Sequence, residues 1–204
     1  LFVGQGLIGG FFGQVYPELA MLPTSRHEAA CASGSVAMFG AMRDIEAGHY
    51  DIACVLGLEL MRNVDGKTGA EYLGAATWAG HEALSCDFPW PFMFDRITRE
   101  YEERHGISDE ALTKIAEINF SNAKRNQNAQ TRGWQFAEGS FSQRDDLNPV
   151  IEGRVRKLDC GQITDGAACV ILASEQAARV HAERHGLKLE DIPRIKGWGH
   201  RSAP

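Results

Sequence analysis

Cys31 lies in the segment His27-Glu28-Ala29-Ala30-Cys31-Ala32-Ser33-Gly34, where a short extendable run meets the start of a helical pattern. A thiol at such a junction has a chemical use. Free backbone N–H groups at a helix N-terminus, with the helix dipole behind them, stabilise negative charge and so favour thiolate. Small neighbours leave room for an electrophile, and Gly34 would let the backbone turn tightly. A cysteine so placed suits nucleophilic attack on an activated acyl group. The other reading of Cys31 is a small buried hydrophobe, the default for a free cysteine.

Other spacings suggest other chemistry and are weaker. Gly4-Gln5-Gly6-Leu7-Ile8-Gly9 has the form G-x-G-x-x-G, with Glu28 about 20 residues on, as a dinucleotide site needs. The second strand of such a unit would be Thr24 to Glu28, which has no apolar run. Gly66-Lys67-Thr68 ends like a phosphate loop, but Met61 stands where that loop needs its first glycine. His181 and His185 are four apart, yet Ala182 follows the first histidine where a zinc-protease helix carries Glu, so a solvated helix face is expected and no metal site. Asn119-Phe120-Ser121 is a formal glycosylation sequence, but it falls inside a helical pattern.

Three stretches position these residues. In the first, Leu1 to Val3 reads as the end of a strand and Leu7 to Tyr16 as a helix stopped by Pro17. Val36, Phe39, Met42 and Ile45 recur every third residue in a helix over 34–47, with Gly48 at its C-terminal end. Ile52 to Leu56 is a continuous apolar run that suits a buried strand. The second stretch, 62–159, is more polar and reads as long loops with two helices, Pro91 to His105 and one after the cap Ser108. The third returns to a buried-strand pattern at Ala167 to Ala173, then a helix capped by Ser174 and ending near Gly186, then a strand over Ile192 to Trp198. Alternation of strand and helix predicts an α/β layer structure with parallel pairing. The domain reading is an α/β half over 1–61 and 160–191, an inserted loop lobe over 62–159, and the start of a further unit over 192–204.

The composition is that of an ordinary globular protein: 204 residues, 44% hydrophobic, 24% charged, with net charge -6. A mildly acidic chain without Lys/Arg runs is a poor ligand for nucleic acid or an anionic membrane surface. No stretch has the length of a membrane span, and no basic leader opens the sequence. Five irregularly spaced cysteines suggest reduced thiols and a cytoplasmic location rather than a disulfide framework.

Two separated motifs together resemble the thiolase superfamily. Cys31-Ala32-Ser33-Gly34, then Ile45-Glu46-Ala47-Gly48, Asp51-Ile52-Ala53 and Gly57-Leu58-Glu59-Leu60-Met61, are similar to the nucleophile segment of that family. Asp159-Cys160-Gly161-Gln162-Ile163-Thr164-Asp165-Gly166-Ala167-Ala168 resembles its second marker, and Phe88 to Tyr101 and Asn119 to Ala129 fit between them. The nearest subgroup is that of sterol carrier protein x.

The resemblance implies a thiolase-like layered α/β fold, here the N-terminal half with its inserted loop lobe. It also implies a homodimer and acyl transfer between coenzyme A thioesters through an acyl-enzyme on Cys31, with acyl-CoA as substrate and no further cofactor. Met93 would lie over the substrate thioester, although core packing explains it equally well. Gly161 stands where relatives carry Ser near the pantetheine arm, which puts one CoA contact in question. The family's base histidine and second, acid/base cysteine have no counterpart in these 204 residues, so the segment alone is expected to be inactive. Some relatives act with a small acyl-CoA-binding partner protein. Other readings are a ketosynthase-like condensing enzyme, a non-catalytic or aldolase-supporting thiolase homologue and, more distantly, a dinucleotide-binding oxidoreductase.

Overall fold

The computed structural model describes residues 6–202, which fall into two compact units. One comprises Leu60–Asp165; the other comprises 6–59 and 166–202. Leu1 to Val3, and Gly4 and Gln5 of the glycine motif, lie outside the described residues.

In the unit that holds Cys31, the expected helix over 7–16 is reduced to a 3-10 turn, Ile8–Phe11, running into one turn of α-helix, α1 (Phe12–Val15). Gly9, Gly10 and Gly13 fall inside this stretch, and each costs helix stability through backbone entropy. A 3-10 turn, Ala30–Ala32, leads into the 14-residue helix α2 (Ser33–Glu46). Val36, Phe39, Met42 and Ile45 are all half-buried on α2. Gly48 takes the left-handed conformation at φ 75°, and the amides of Gly48 and His49 bond back to Ile45 and Asp44. This is the two-bond termination that a glycine at this position allows.

Strand β1 (Ile52–Glu59) pairs with β4 (Gly166–Ala173), the label allowing for two short strands between them. The pairing is antiparallel, from Ile52 opposite Ala173 to Glu59 opposite Gly166, and so departs from the parallel expectation. The chain leaves β1 at Glu59 and returns at Gly166, the same end of the ribbon, which forces the two strands to run in opposite directions. The strands are also less buried than their apolar runs suggested. Val55 is buried on the face shared with Val170, whereas Ile52 and Ile171 on the other face are 61% and 62% exposed. Helix α2 packs on β1, but a two-stranded ribbon has a second face and two edges, and one helix covers little of that. After β4, Ser174 Oγ accepts from the Ala177 amide and caps α6 (Glu175–His185), which ends at Gly186 with φ 66°. Residues 192–198 form no strand; among the described residues no strand partners them, and Trp198 instead packs on Phe39 of α2.

The unit over Leu60–Asp165 is mainly helical. Asp65 accepts from the amides of Lys67 and Thr68 and caps α3 (Gly66–Gly74), a helix where the sequence reads as loop. Helix α4 (Pro89–His105) packs on α3 and ends at Gly106, φ 72°. Ser108 caps α5 (Asp109–Arg125) by accepting from the Ala111 amide. Strands β2 (Val150–Glu152) and β3 (Val155–Arg156) form a small hairpin against α4. The buried Asp95 carboxylate fixes that contact, accepting from the Arg154 amide at 2.7 Å and from Arg99 Nε at 2.6 Å. Phe120, Trp134, Phe136 and Phe141 form an aromatic cluster between α5 and the loop that follows.

Candidate functional site

Cys31 sits in the turn between an irregular segment and α2, and it is exposed. The segment is held from both sides. The ring of His27 rests on Gly40 of α2, where a Cβ would come within 2.9 Å of it, and its Nε2 lies 3.0 Å from Ser25 Oγ. Ala29 is extended in φ (-157°), and Ala30 then turns to φ 49°. The chain therefore bends sharply at Ala30, not at Gly34 as expected; Gly34 lies within regular α2.

Side chains hold both peptide groups of Ala30. Its N–H donates to Glu28 Oε1 at 2.5 Å, and its carbonyl accepts from Ser33 Oγ at 2.7 Å. Ser33 Oγ also accepts from the Ala29 amide at 2.8 Å. The N-cap of α2, Ala32, makes no side-chain cap bond; the 3-10 turn before it takes up the amide of Ala32, which donates to the Ala29 carbonyl, and that of Ser33, which donates to the Ala30 carbonyl. Beside Gly34 there is open space to 4 Å. The result is an exposed thiol at the start of a long helix, with room for an incoming group, and this can support nucleophilic attack.

The other cysteines differ. Burial, with Asp159 adding to it, pushes the Cys160 thiol up. Burial and the carboxylates of Glu152 and Asp87 do the same to Cys86. Cys54 is pushed up by a hydrogen bond shared with Cys169, whose sulfur is 3.3 Å away, and by burial. Each of these three has less thiolate at neutral pH than an unperturbed cysteine.

Met93 and Gly161 belong to the Leu60–Asp165 unit, whereas Cys31 belongs to the other. Met93 is half-buried and lines an open groove of about 510 Å³ along α4, with Ile97, Tyr101, Arg96 and Arg104 among the other lining residues. Gly161 is exposed, with open space where a side chain would stand, and it does not line this groove. The spacing Met93, Ile97, Tyr101 was present as an i, i+4, i+8 stripe, and Arg96, Glu100, Arg104 as a second one. Neither stripe marks a site in the sequence, because mixed charge beside apolar residues reads as an ordinary amphipathic face. Among the described residues no group of three or more His, Cys, Asp and Glu is arranged to hold a metal ion, and His185 Nδ1 lies 2.8 Å from the carbonyl of His181. No helix among the described residues is long and apolar enough to cross a membrane.

Comparison with known proteins places the sequence in a family. The sequence pattern described as "Thiolase, N-terminal domain" matches residues 18–132, more than half of the chain. The chain is 28% identical over 184 residues to an acetyl-CoA acetyltransferase of Methanothermobacter thermautotrophicus, covering 90% of this chain and 45% of that protein. It is 32% identical over 179 residues to the acetyl-CoA acetyltransferase of Methanocaldococcus jannaschii, covering 88% and 43%. It is 27% identical over 206 residues to sterol carrier protein 2 of Bos taurus, covering 91% and 35%. The chain thus spans less than half the length of these curated relatives, and its mixed helix and strand content agrees with a partial α/β thiolase-like fold. The chain therefore belongs to the thiolase family, and its match lies in that family's N-terminal domain.

Proposed function

We propose that the protein containing this chain transfers acyl groups between coenzyme A thioesters, with Cys31 as the residue that carries the acyl group. The observation that carries this reading is the exposed Cys31 at the start of α2 in a chain of the thiolase family. Two relatives bear the name acetyl-CoA acetyltransferase, which supports an acyl-CoA substrate.

The thiolate of Cys31 attacks the thioester carbonyl of acyl-CoA. A new S–C bond forms, the C–S bond to coenzyme A breaks, and the departing thiolate of coenzyme A takes a proton. In the second half-reaction the thiolate of coenzyme A attacks the acyl-Cys31 thioester and takes the acyl group, or an acetyl-CoA that has lost an α-proton attacks it and forms a C–C bond; either way the C–S bond to Cys31 breaks. Both directions regenerate the Cys31 thiolate. Exchange between thioesters is nearly balanced in energy, so the reaction needs no cofactor beyond coenzyme A itself. Met93, at the groove along α4, is the residue proposed to face the acyl thioester, and the loop around Gly161 to approach the pantetheine arm. The base and the second cysteine are proposed to come from the half of the protein that the relatives have and this chain does not span, so the 204 residues alone would not turn over. The active form is proposed to be a cytoplasmic homodimer, to which a small acyl-CoA-binding protein can add. The exposed apolar face of the ribbon, with Ile52, Leu56 and Ile171, supports assembly.

Limiting iodoacetamide tests the assignment. Cys31 is labelled before Cys54, Cys86, Cys160 and Cys169, and acetyl-CoA slows that labelling in the full-length protein. First labelling at another cysteine, or no protection, contradicts the proposal.

A further inference from the structure

We infer that Glu28 is a positioning residue for Cys31, acting through the peptide of Ala30. This rests on the reading of Cys31 as the acyl carrier. Alanine at φ 49° is in the left-handed region, which strains an L-residue. A strained turn directly before the nucleophile persists because its surroundings fix it. Here two side chains fix it. Glu28 Oε1 accepts the Ala30 N–H at 2.5 Å and lies 3.4 Å from Ser33 Oγ, which in turn donates to the Ala30 carbonyl at 2.7 Å. Glu28 thus reaches forward two residues and holds the turn from the N–H side, while Ser33 reaches back three residues and holds the carbonyl side. Cys31 follows that clamped peptide, so the direction of its Cα–Cβ bond depends on the turn at Ala30. Glu28 does not need to touch the acyl group to control the rate.

Glu28→Asp draws the carboxylate back by one methylene and keeps its charge, so the bond to Ala30 lengthens while the surface charge is unchanged. In the full-length protein kcat for acetyl-CoA/CoA exchange should fall about tenfold with KM unchanged, as small misplacement of a reacting group can cost up to about 100-fold. Iodoacetamide labelling of Cys31 should slow in the same variant without substrate. Glu28→Gln keeps an acceptor oxygen in place and should stay within about threefold of the parent protein. The decisive step is Ala30→Gly added to Glu28→Asp. Glycine adopts positive φ without strain, so the double variant should recover most of the lost kcat. If Glu28→Asp stays within twofold of the parent, or if Ala30→Gly restores nothing, the inference is overturned. Cys31→Ala separates the two claims: a dead Cys31→Ala beside an unimpaired Glu28→Asp removes only the role of Glu28, whereas an active Cys31→Ala removes the acyl-carrier reading itself.

Discussion

Gly153→Ala should destabilise the Leu60–Asp165 unit by about 2.5–4 kcal/mol, and most of that should disappear when Asp95 is also replaced. Gly153 forms the turn of the β2–β3 hairpin at φ 54°, and a Cβ there would overlap the carboxylate of the buried Asp95. Left-handed backbone costs alanine about 1 kcal/mol. Displacing Asp95 also breaks its 2.7 Å bond from the Arg154 amide, and a hydrogen bond to a charged group contributes about 1.5–3 kcal/mol. In an Asp95→Ala background the overlap is gone and Gly153→Ala should cost only the backbone term. The coupling between the two positions is then about 1.5–3 kcal/mol. Urea unfolding measures it, followed by the fluorescence of Trp78, Trp90 and Trp134 in a Trp198→Phe background, so that this unit alone is reported. Equal costs for Gly153→Ala in both backgrounds, or a cost below 1 kcal/mol in the parent protein, would refute the reasoning.

Asp165 accepts from the amides of Arg62 and Met61, both at 2.8 Å, and the Arg62 amide is the larger cause holding its carboxyl below the usual aspartate range. Its contribution to stability is therefore present above the unfolded-state value and is lost as pH falls through the lower folded value. Protection of the Met61 and Arg62 amides, relative to their intrinsic exchange rates, should fall below about pH 4, and Asp165→Asn should remove that pH dependence. Phe136→Ala should destabilise the same unit by about 2 kcal/mol, since the half-buried ring lies 4.9 Å from Phe120 and 4.8 Å from Phe141. Phe136→Leu should cost less than half as much in the same urea assay.

Features governed by neighbouring residues were legible in the sequence. Ser108 and Ser174 cap helices, and Gly48, Gly106 and Gly186 end them at positive φ, because these tasks are local in backbone geometry. The helix start at Cys31 was legible for the same reason. The sharp turn before it was not, because propensity does not put an alanine in the left-handed region. Only the combination of Glu28, two residues before, and Ser33, three after, makes Ala30 tenable there. Strand direction was also hidden. The runs Ile52–Leu56 and Ala167–Ala173 indicate strands, but nothing in either run reports that the long excursion between them begins and ends beside the Glu59–Gly166 pair. The β2–β3 hairpin has strands of three and two residues, too short for an alternating pattern to register. Asp65 was a sound helix cap that the following Gly-Lys-Thr disguised.

The most direct measurement is the site of covalent acylation. Full-length protein mixed briefly with radiolabelled acetyl-CoA, quenched in acid and digested should carry one acetyl group, as a thioester, on the peptide containing Cys31. Label on any other residue, or none while the same preparation exchanges acetyl groups with coenzyme A, would contradict the central claim.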